Sequence, residues 1–346
     1  MMRRSGMLMG LCLLAGSLPG AAWAGHAGFR TLAISEGDGP PLDVALWYPT
    51  EAAPRPTQVG PFVQSVAPGA AIAGRGLPLI VLSHGTGGSR TSHADTALAL
   101  AQAGYVVAAL DHAGDDWRDR SRVLDVAGRV RQFGAIVAAV VAGEGGATID
   151  PARVGAFGFS AGGFTVLAAA GGRPDLDRVG PHCEASPDVY DCRLIAAEAA
   201  RGRHLRPAAF TPAPRLAALV VAAPALGFTF TRSGLAAIAA PVQLWQAGDD
   251  EILPAPHYVE PVAAALPHPP DHHVAEGARH YDILAPCSPD LVAAAPEICA
   301  SAPGFDRAAF HARFNAAIVA FFDRALRRPG DAPQAGGPSG AQRKAP

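Results

Sequence analysis

From residue 28 onward, short apolar runs alternate with longer stretches whose apolar residues recur at helical spacing. Phe29 to Ile34 and Asp43 to Tyr48 are strand-like, and the Gly-Asp-Gly-Pro-Pro turn between them predicts a hairpin. Leu77 to Ser83 and Tyr105 to Asp111 are compact, largely apolar runs, the pattern of parallel strands buried on both faces. Ser92 to Ala103 has helical spacing. Arg122 to Ala142 places Val123, Val126, Val130, Phe133, Ile136 and Val137 along one side, which predicts a long helix. Arg153 to Phe157 reads as a strand and Gly163 to Ala170 as a helix. Leu216 to Ala222, Val242 to Ala247 and the shorter His273 to Ala275 are further strands, and Ala308 to Arg327 is a closing amphipathic helix. Alternating strands and helices predict an α/β fold: a mostly parallel central sheet with helices on both faces.

Residues 171–212 interrupt the alternation with prolines, short helical patches, Cys183 and Cys192. Such an insertion is a natural lid or wall over a pocket. Residues 329–346 are rich in Pro, Gly and Ser and predict a disordered tail. The chain is 49% hydrophobic and 17% charged, so it can bury a large core. Its formal net charge of -2 provides no basic excess for nucleic acid. Phe228, Phe230, Leu235 and Ile238 follow one of the strands. Exposed, they would form an apolar rim suited to a membrane surface; buried, they are ordinary core.

Between the strand at Arg153 to Phe157 and the helix from Gly163 stands Gly158-Phe159-Ser160-Ala161-Gly162. A serine in G-x-S-x-G at a strand-to-helix turn projects above the sheet edge, at the positive end of the following helix. The Ala161 N–H at that helix start is free to bind a developing oxyanion. A serine nucleophile needs a base, and the base an orienting acid. Asp249, Asp250 and Glu251 crowd the end of the strand Val242 to Ala247. His280 lies just past the last short strand, in Gly277-Ala278-Arg279-His280-Tyr281-Asp282, on a loop facing the same sheet edge. His257, His272, His273 and His311 fall within or at the start of strands and helices instead. After Leu77 to Ser83 comes His84-Gly85-Thr86-Gly87-Gly88, flexible enough to turn backbone amides toward the serine. It has neither the G-x-G-x-x-G pattern nor a P-loop lysine for phosphate.

These stretches, with Ala45-Leu46-Trp47-Tyr48-Pro49 and Ala103-Gly104-Tyr105-Val106-Val107-Ala108-Ala109, resemble the α/β-hydrolases. Within them the chain is similar to the group joining platelet-activating-factor acetylhydrolases with proteins labelled predicted dienelactone hydrolases. The resemblance runs from about Asp43 to the closing helix. It implies Ser160 as nucleophile, His280 as base and Thr86 with Ala161 as oxyanion donors. It selects Asp250 as the acid, four residues before Pro254, with Asp249 as the alternative. Dienelactone hydrolases use a cysteine nucleophile where this chain has Ser160, so that label does not carry a substrate. The implied activity is a serine carboxylester hydrolase acting on short acyl esters through an acyl-enzyme, with no metal or organic cofactor. A phospholipase A2-type acetylhydrolase on lipid esters, a peptidase or amidase, and a non-catalytic binding protein are the alternatives on this fold.

The first residues read as a signal peptide, residues 1–24. Arg3 and Arg4 precede the apolar stretch Met7 to Leu18, and Ala22-Trp23-Ala24 is an A-x-A cleavage site. Cys12 follows Leu11, where a lipoprotein signal requires a small residue. Cleavage leaves Cys183, Cys192, Cys287 and Cys299 of the five cysteines, an even number in an oxidising compartment. Three pairings are possible. The local ones, Cys183–Cys192 and Cys287–Cys299, are expected because each pair shares one Pro-containing segment. The hydrolase domain then spans residues 25–328, and the protein is exported to the periplasm or the medium. N-terminal sequencing of exported protein is expected to begin at Gly25; a start at Met1 would overturn the reading.

Overall fold

The computed structural model describes residues 25–328 except Asp38 and Pro207. The expected signal segment and tail lie outside the described residues. Among the described residues, ten strands form one sheet. They are β1 (Ala27–Ile34), β2 (Leu42–Pro49), β3 (Arg55–Val59), β4 (Phe62–Pro68), β5 (Leu77–Ser83), β6 (Val106–Leu110), β7 (Ile149–Phe159), β8 (Ala218–Ala222), β9 (Val242–Ala247) and β10 (Asp271–Ala275). The helices are α1 (Ala94–Gln102), α2 (Val126–Val141), α3 (Ala161–Ala169), α4 (Val179–Ala185), α5 (Tyr190–Ala199), α6 (Arg232–Leu235), α7 (Val259–Ala265), α8 (Pro289–Ala294), α9 (Pro296–Cys299) and α10 (Arg307–Leu326).

The sheet order is β10-β9-β8-β7-β5-β6-β2-β1-β4-β3. From β10 to β6 all neighbours are parallel, whereas β6, β2 and β1 pair antiparallel. The fold is thus α/β with a mostly parallel sheet. The chain leaves β5 for β6 on one side and then returns to β7 on the other. The strand ends at β5 and β7 therefore flank a crevice where the winding reverses, the usual ligand position in such sheets.

Each parallel strand divides its side chains between two cores. Leu79 and Val81 of β5 join Val130, Phe133 and Ile136 of α2 on one face. Ile80 and Leu82 join Leu100 of α1 and Phe314, Ile318 and Phe322 of α10 on the other. This two-sided burial is why the strands are apolar throughout rather than alternating. Phe228, Phe230, Leu235 and Ile238 belong to the first core, so they are not an exposed rim. No helix among the described residues is long and apolar enough to cross a membrane.

Two details differ from the sequence pattern. The helix expected from Arg122 begins at Val126, because the Asp125 carboxylate accepts the Gly128 N–H at 2.8 Å and caps it there. Val123 and Leu124 are left on the preceding turns, where they line a cleft. The β3–β4 hairpin had no strand signature, since Arg55, Pro56, Thr57 and Gln58 are polar or imino. It packs through Val59 and Val66, which join the second core, and through Gln64, which accepts from Trp47 Nε1 at 2.9 Å and donates to Ala94 O at 2.7 Å.

The insertion over 171–212 folds as α4 and α5, joined by the Cys183–Cys192 disulfide, and the second disulfide is Cys287–Cys299. Phe314 is fully buried against Trp245, at 4.7 Å between ring centroids, and Phe310, at 5.3 Å. Phe314→Ala should lower the unfolding free energy by about 3–5 kcal/mol, read as a lower urea midpoint at unchanged slope.

Candidate active site

Ser160 alone separates β7 from α3, with φ 55° and ψ -120°. An L-residue holds such a backbone only where its surroundings enforce it. The adjacent glycines show what does. A Cβ on Gly162 would lie 1.9 Å from Ser83 O, and one on Gly158 would lie 2.1 Å from Gly162 O. Gly163 is closed off by Pro224 Cα at 2.9 Å. The Ser160 N–H donates to Ala222 O at 3.0 Å, and Ser160 O accepts the Ala225 N–H at 3.0 Å, fastening the turn to the end of β8.

His280 opens the short turn His280–Ile283, shortly after β10. Its Nε2 lies 3.2 Å from Ser160 Oγ, and its Nδ1 lies 2.8 Å from Asp250 Oδ2. The carboxylate fixes the tautomer: Nδ1–H donates to Asp250, leaving Nε2 to accept the serine O–H. Asp250 sits in the turn after β9, where its Oδ1 accepts the Ile252 and Leu253 N–H groups at 3.0 and 2.7 Å. Those bonds aim its other oxygen at His280. All three side chains are buried, with His280 only 2% exposed. Asp249 instead faces solvent and donates its backbone N–H to Ala278 O. Glu251 accepts the His280 N–H at 3.4 Å.

The loop after β5 lies against the serine; a Cβ on Gly85 would be 3.1 Å from Ser160 Cβ. Its Thr86 and the first residue of α3, Ala161, border the same cleft. A buried polar cluster shapes this loop. Asp115 Oδ1 accepts the Gly87 N–H at 2.8 Å, while its Oδ2 pairs with Arg129 Nη1 at 2.6 Å. Arg129 also donates to His84 O and, at 3.2 Å, to Thr165 Oγ1. His84 Nε2 accepts the His112 N–H at 3.1 Å, so its Nδ1–H donates to Gly85 O at 2.7 Å. His112 Nδ1–H donates to Gln132 Oε1 at 3.0 Å and Nε2 accepts from Ser83 Oγ at 2.8 Å. Burial and the nearby Arg129 charge push both imidazoles well below the usual histidine range. Neutral rings suit these donor and acceptor patterns.

The sequence reading missed Asp115, Arg129 and Gln132. One signal was present: Arg129 falls within the apolar stripe of α2, between Val126 and Val130, where an unpaired charge would be costly. Among the described residues, no group of three or more His, Cys, Asp or Glu side chains is arranged to hold a metal ion.

With this geometry in place, comparison with known proteins places the fold. A model of the prolyl oligopeptidase family matches residues 91–183. No curated protein sequence matches the chain. Among solved structures, a ferulic acid esterase from Streptomyces cinnamoneus is similar at a TM-score of 0.59 and 21% identity, over 91% of this chain and 96% of that one. A puromycin-hydrolyzing peptidase of Mycobacterium tuberculosis is similar at a TM-score of 0.54 and 18% identity, over 92% of this chain and 42% of that one. These likenesses are of fold, and the fold of this chain is that of the α/β-hydrolases.

Proposed function

We propose that this chain is an exported serine hydrolase that cleaves short-acyl carboxylic esters through an acyl-enzyme. One observation carries the reading: a single buried imidazole bridges a strained, elbow-borne serine and a buried carboxylate. In the proposed mechanism His280 Nε2 takes the Ser160 proton as Oγ attacks the ester carbonyl. Asp250 holds the ring and stabilises the imidazolium that forms. The Thr86 and Ala161 N–H groups stabilise the tetrahedral oxyanion. His280 then returns the proton to the leaving alcohol, and water enters by the same base to release the acid.

The cleft beside Thr86 and Ala161 supports a short acyl group. It is a narrow cleft, partly open to solvent, with about 30 Å³ accessible to water, walled by Val123, Leu124, Phe164, Leu194, Ile195 and Leu226. So narrow a space suits an acetyl methyl better than a long chain. Leu194 and Ile195 come from the insertion, which thereby acts as a wall. The two disulfides and the signal-like N-terminus support export. The matched peptidase family and the peptidase neighbour favour amide cleavage by the same residues as the second reading.

Asp191, from the same insertion, is the one acidic residue of the cleft wall. Its Oδ2 accepts the Leu226 N–H at 2.9 Å. Burial pushes its carboxyl up to about 6, against the opposing effects of that N–H and of His280.

The first test is hydrolysis of p-nitrophenyl esters of graded acyl length, beside matched anilides. Acetyl and propionyl esters are expected to react fastest, with Ser160→Ala slower by at least ~10³-fold in kcat. Retention of activity in Ser160→Ala would overturn the mechanism, and faster anilide cleavage would favour the peptidase reading. Asp191 generates a stability prediction. Its folded-state value lies above that of the unfolded chain, so the native protein binds the extra proton and loses stability as pH rises from about 4 to 6. Asp191→Asn keeps an acceptor for Leu226 and cannot ionise. It should match the parent near pH 4 and exceed it by roughly 1–3 kcal/mol at pH 8 in urea titrations.

A further inference from the structure

The first half of α10 carries Arg307, His311 and Asn315 at four-residue spacing, one polar stripe on an otherwise apolar inward face. Arg307 is 8% and His311 2% exposed, and charged groups are not buried to this degree without dedicated partners. Their partners are the backbone that carries His280. Arg307 donates to Tyr281 O, to Leu284 O at 2.9 Å from Nη2 and 3.1 Å from Nε, and to Ile298 O at 2.9 Å. His311 Nε2 lies 2.9 Å from Asp282 O, and its Nδ1 lies 2.7 Å from Asp95 Oδ2.

Both neighbours of the His311 ring are acceptors. A carbonyl oxygen cannot donate. Asp95 Oδ2 already accepts the Asn315 amide at 2.7 Å, and Asn315 Oδ1 in turn accepts from Thr96 Oγ1 at 2.7 Å. A neutral imidazole would leave one of its two contacts as an acceptor facing an acceptor. Two ring N–H groups satisfy both. The nearby His93 does not take the charge, since both its nitrogens are buried without partners. The grip extends to the second disulfide. Ile298 O lies within the loop that Cys287 and Cys299 close, and Ser301 Oγ, just beyond it, donates to Asp282 Oδ1.

We infer that His311 is a buried imidazolium, paired with Asp95, and that with Arg307 it is a positioning residue that sets the backbone of residues 280–284 and so the reach of His280 toward Ser160. This inference rests on the proposed roles of Ser160 and His280. Neither α10 side chain touches the reacting atoms. They act through the carbonyls of Tyr281, Asp282 and Leu284, and the disulfide loop completes the clamp from the other side.

Two measurements test it. The first is nitrogen NMR of the intact protein with labelled histidine, assigned through His311→Gln. His311 should show two protonated ring nitrogens at pH 7.5, and a neutral tautomer there would overturn the charge assignment. This readout is independent of ester chemistry, so it stands even if the Ser160 mechanism fails. The second is the rate at which a fluorophosphonate labels Ser160, followed by intact mass, together with kcat and KM on the best ester. His311→Ala and His311→Gln should label more slowly and lose kcat on the order of 10–100-fold, with KM within twofold. Exogenous imidazole should restore labelling of His311→Ala but leave Ser160→Ala unlabelled. Should His311→Ala not fold, His311→Gln carries the kinetic test. Parent-like labelling and kcat in a folded variant would overturn the positioning role, as would a loss confined to KM.

Discussion

The Gly162 backbone crosses the Ser83 carbonyl so closely that a Cβ would sit 1.9 Å from its oxygen. This approach joins the ends of two parallel neighbours, paired through Ser83 and Gly158 at the reversal of the sheet winding. It leaves the chain one residue in which to pass from β7 into α3, and that residue takes the positive φ of Ser160. Once the turn is fixed, Ala161 stands at the helix start and the loop after β5 lies beside the serine. The strain, of order 1–3 kcal/mol, is offset by the packing of β5, β7, β8 and α3 around it. The site is therefore a consequence of how closely those strands and that helix meet.

Two charge pairs, one buried and one with a half-buried acid, flank the strained turn, and each holds backbone rather than substrate. Arg129 and Asp115 shape the loop that bears Thr86, through His84 O and the Gly87 N–H. His311 and Asp95, with Arg307, hold the turn that bears His280. Buried ion pairs recover their desolvation cost poorly, so stability alone is a weak reason for having two of them. Geometry is a better one. A loop without ladder hydrogen bonds has several accessible conformations, and a guanidinium that binds several carbonyls at once selects among them. Between the pairs, His280 reaches Ser160 and Asp250 without competing contacts from either cation.

Much of this was legible in the sequence because burial on both faces leaves a plain mark. Leu77 to Ser83 and Val242 to Ala247 coincide with observed strands for that reason, whereas the hairpin of β1 and β2 was legible from the turn between them. Ser160 was legible from the glycines its turn requires, and His280 from its place after the last strand. What was hidden depends on partners distant in sequence. Asp249 and Asp250 are adjacent and chemically identical; only the turn after β9 presents one inward and the other to solvent. Arg307 and His311 lie on a helix that reads as ordinary amphipathic, and their purpose shows only when Tyr281 and Asp282 are packed against it. The β3–β4 hairpin failed for a different reason. It lies at the sheet edge, where the scattered Val59 and Val66 reach the core and the polar Gln64 completes the packing, so no apolar run marks it.

The crosslinks follow the same division between ladder and loop. Ser160, Asp250 and Thr86 sit at or just beyond strand ends, where neighbouring strands fix the backbone. None of the four bonded cysteines lies on a strand. One joins α4 to α5 in the insertion that supplies Asp191, Leu194 and Ile195 to the cleft. The other closes the segment packed against the His280 turn. Closing loops with sequence separations of 9 and 12 restricts the unfolded chain by roughly 2–3 kcal/mol each, a large share of a net stability near 5–15 kcal/mol. There is also a local effect. Both irregular segments that complete the site lack a strand partner, and a covalent bond holds each where hydrogen-bond ladders do not reach.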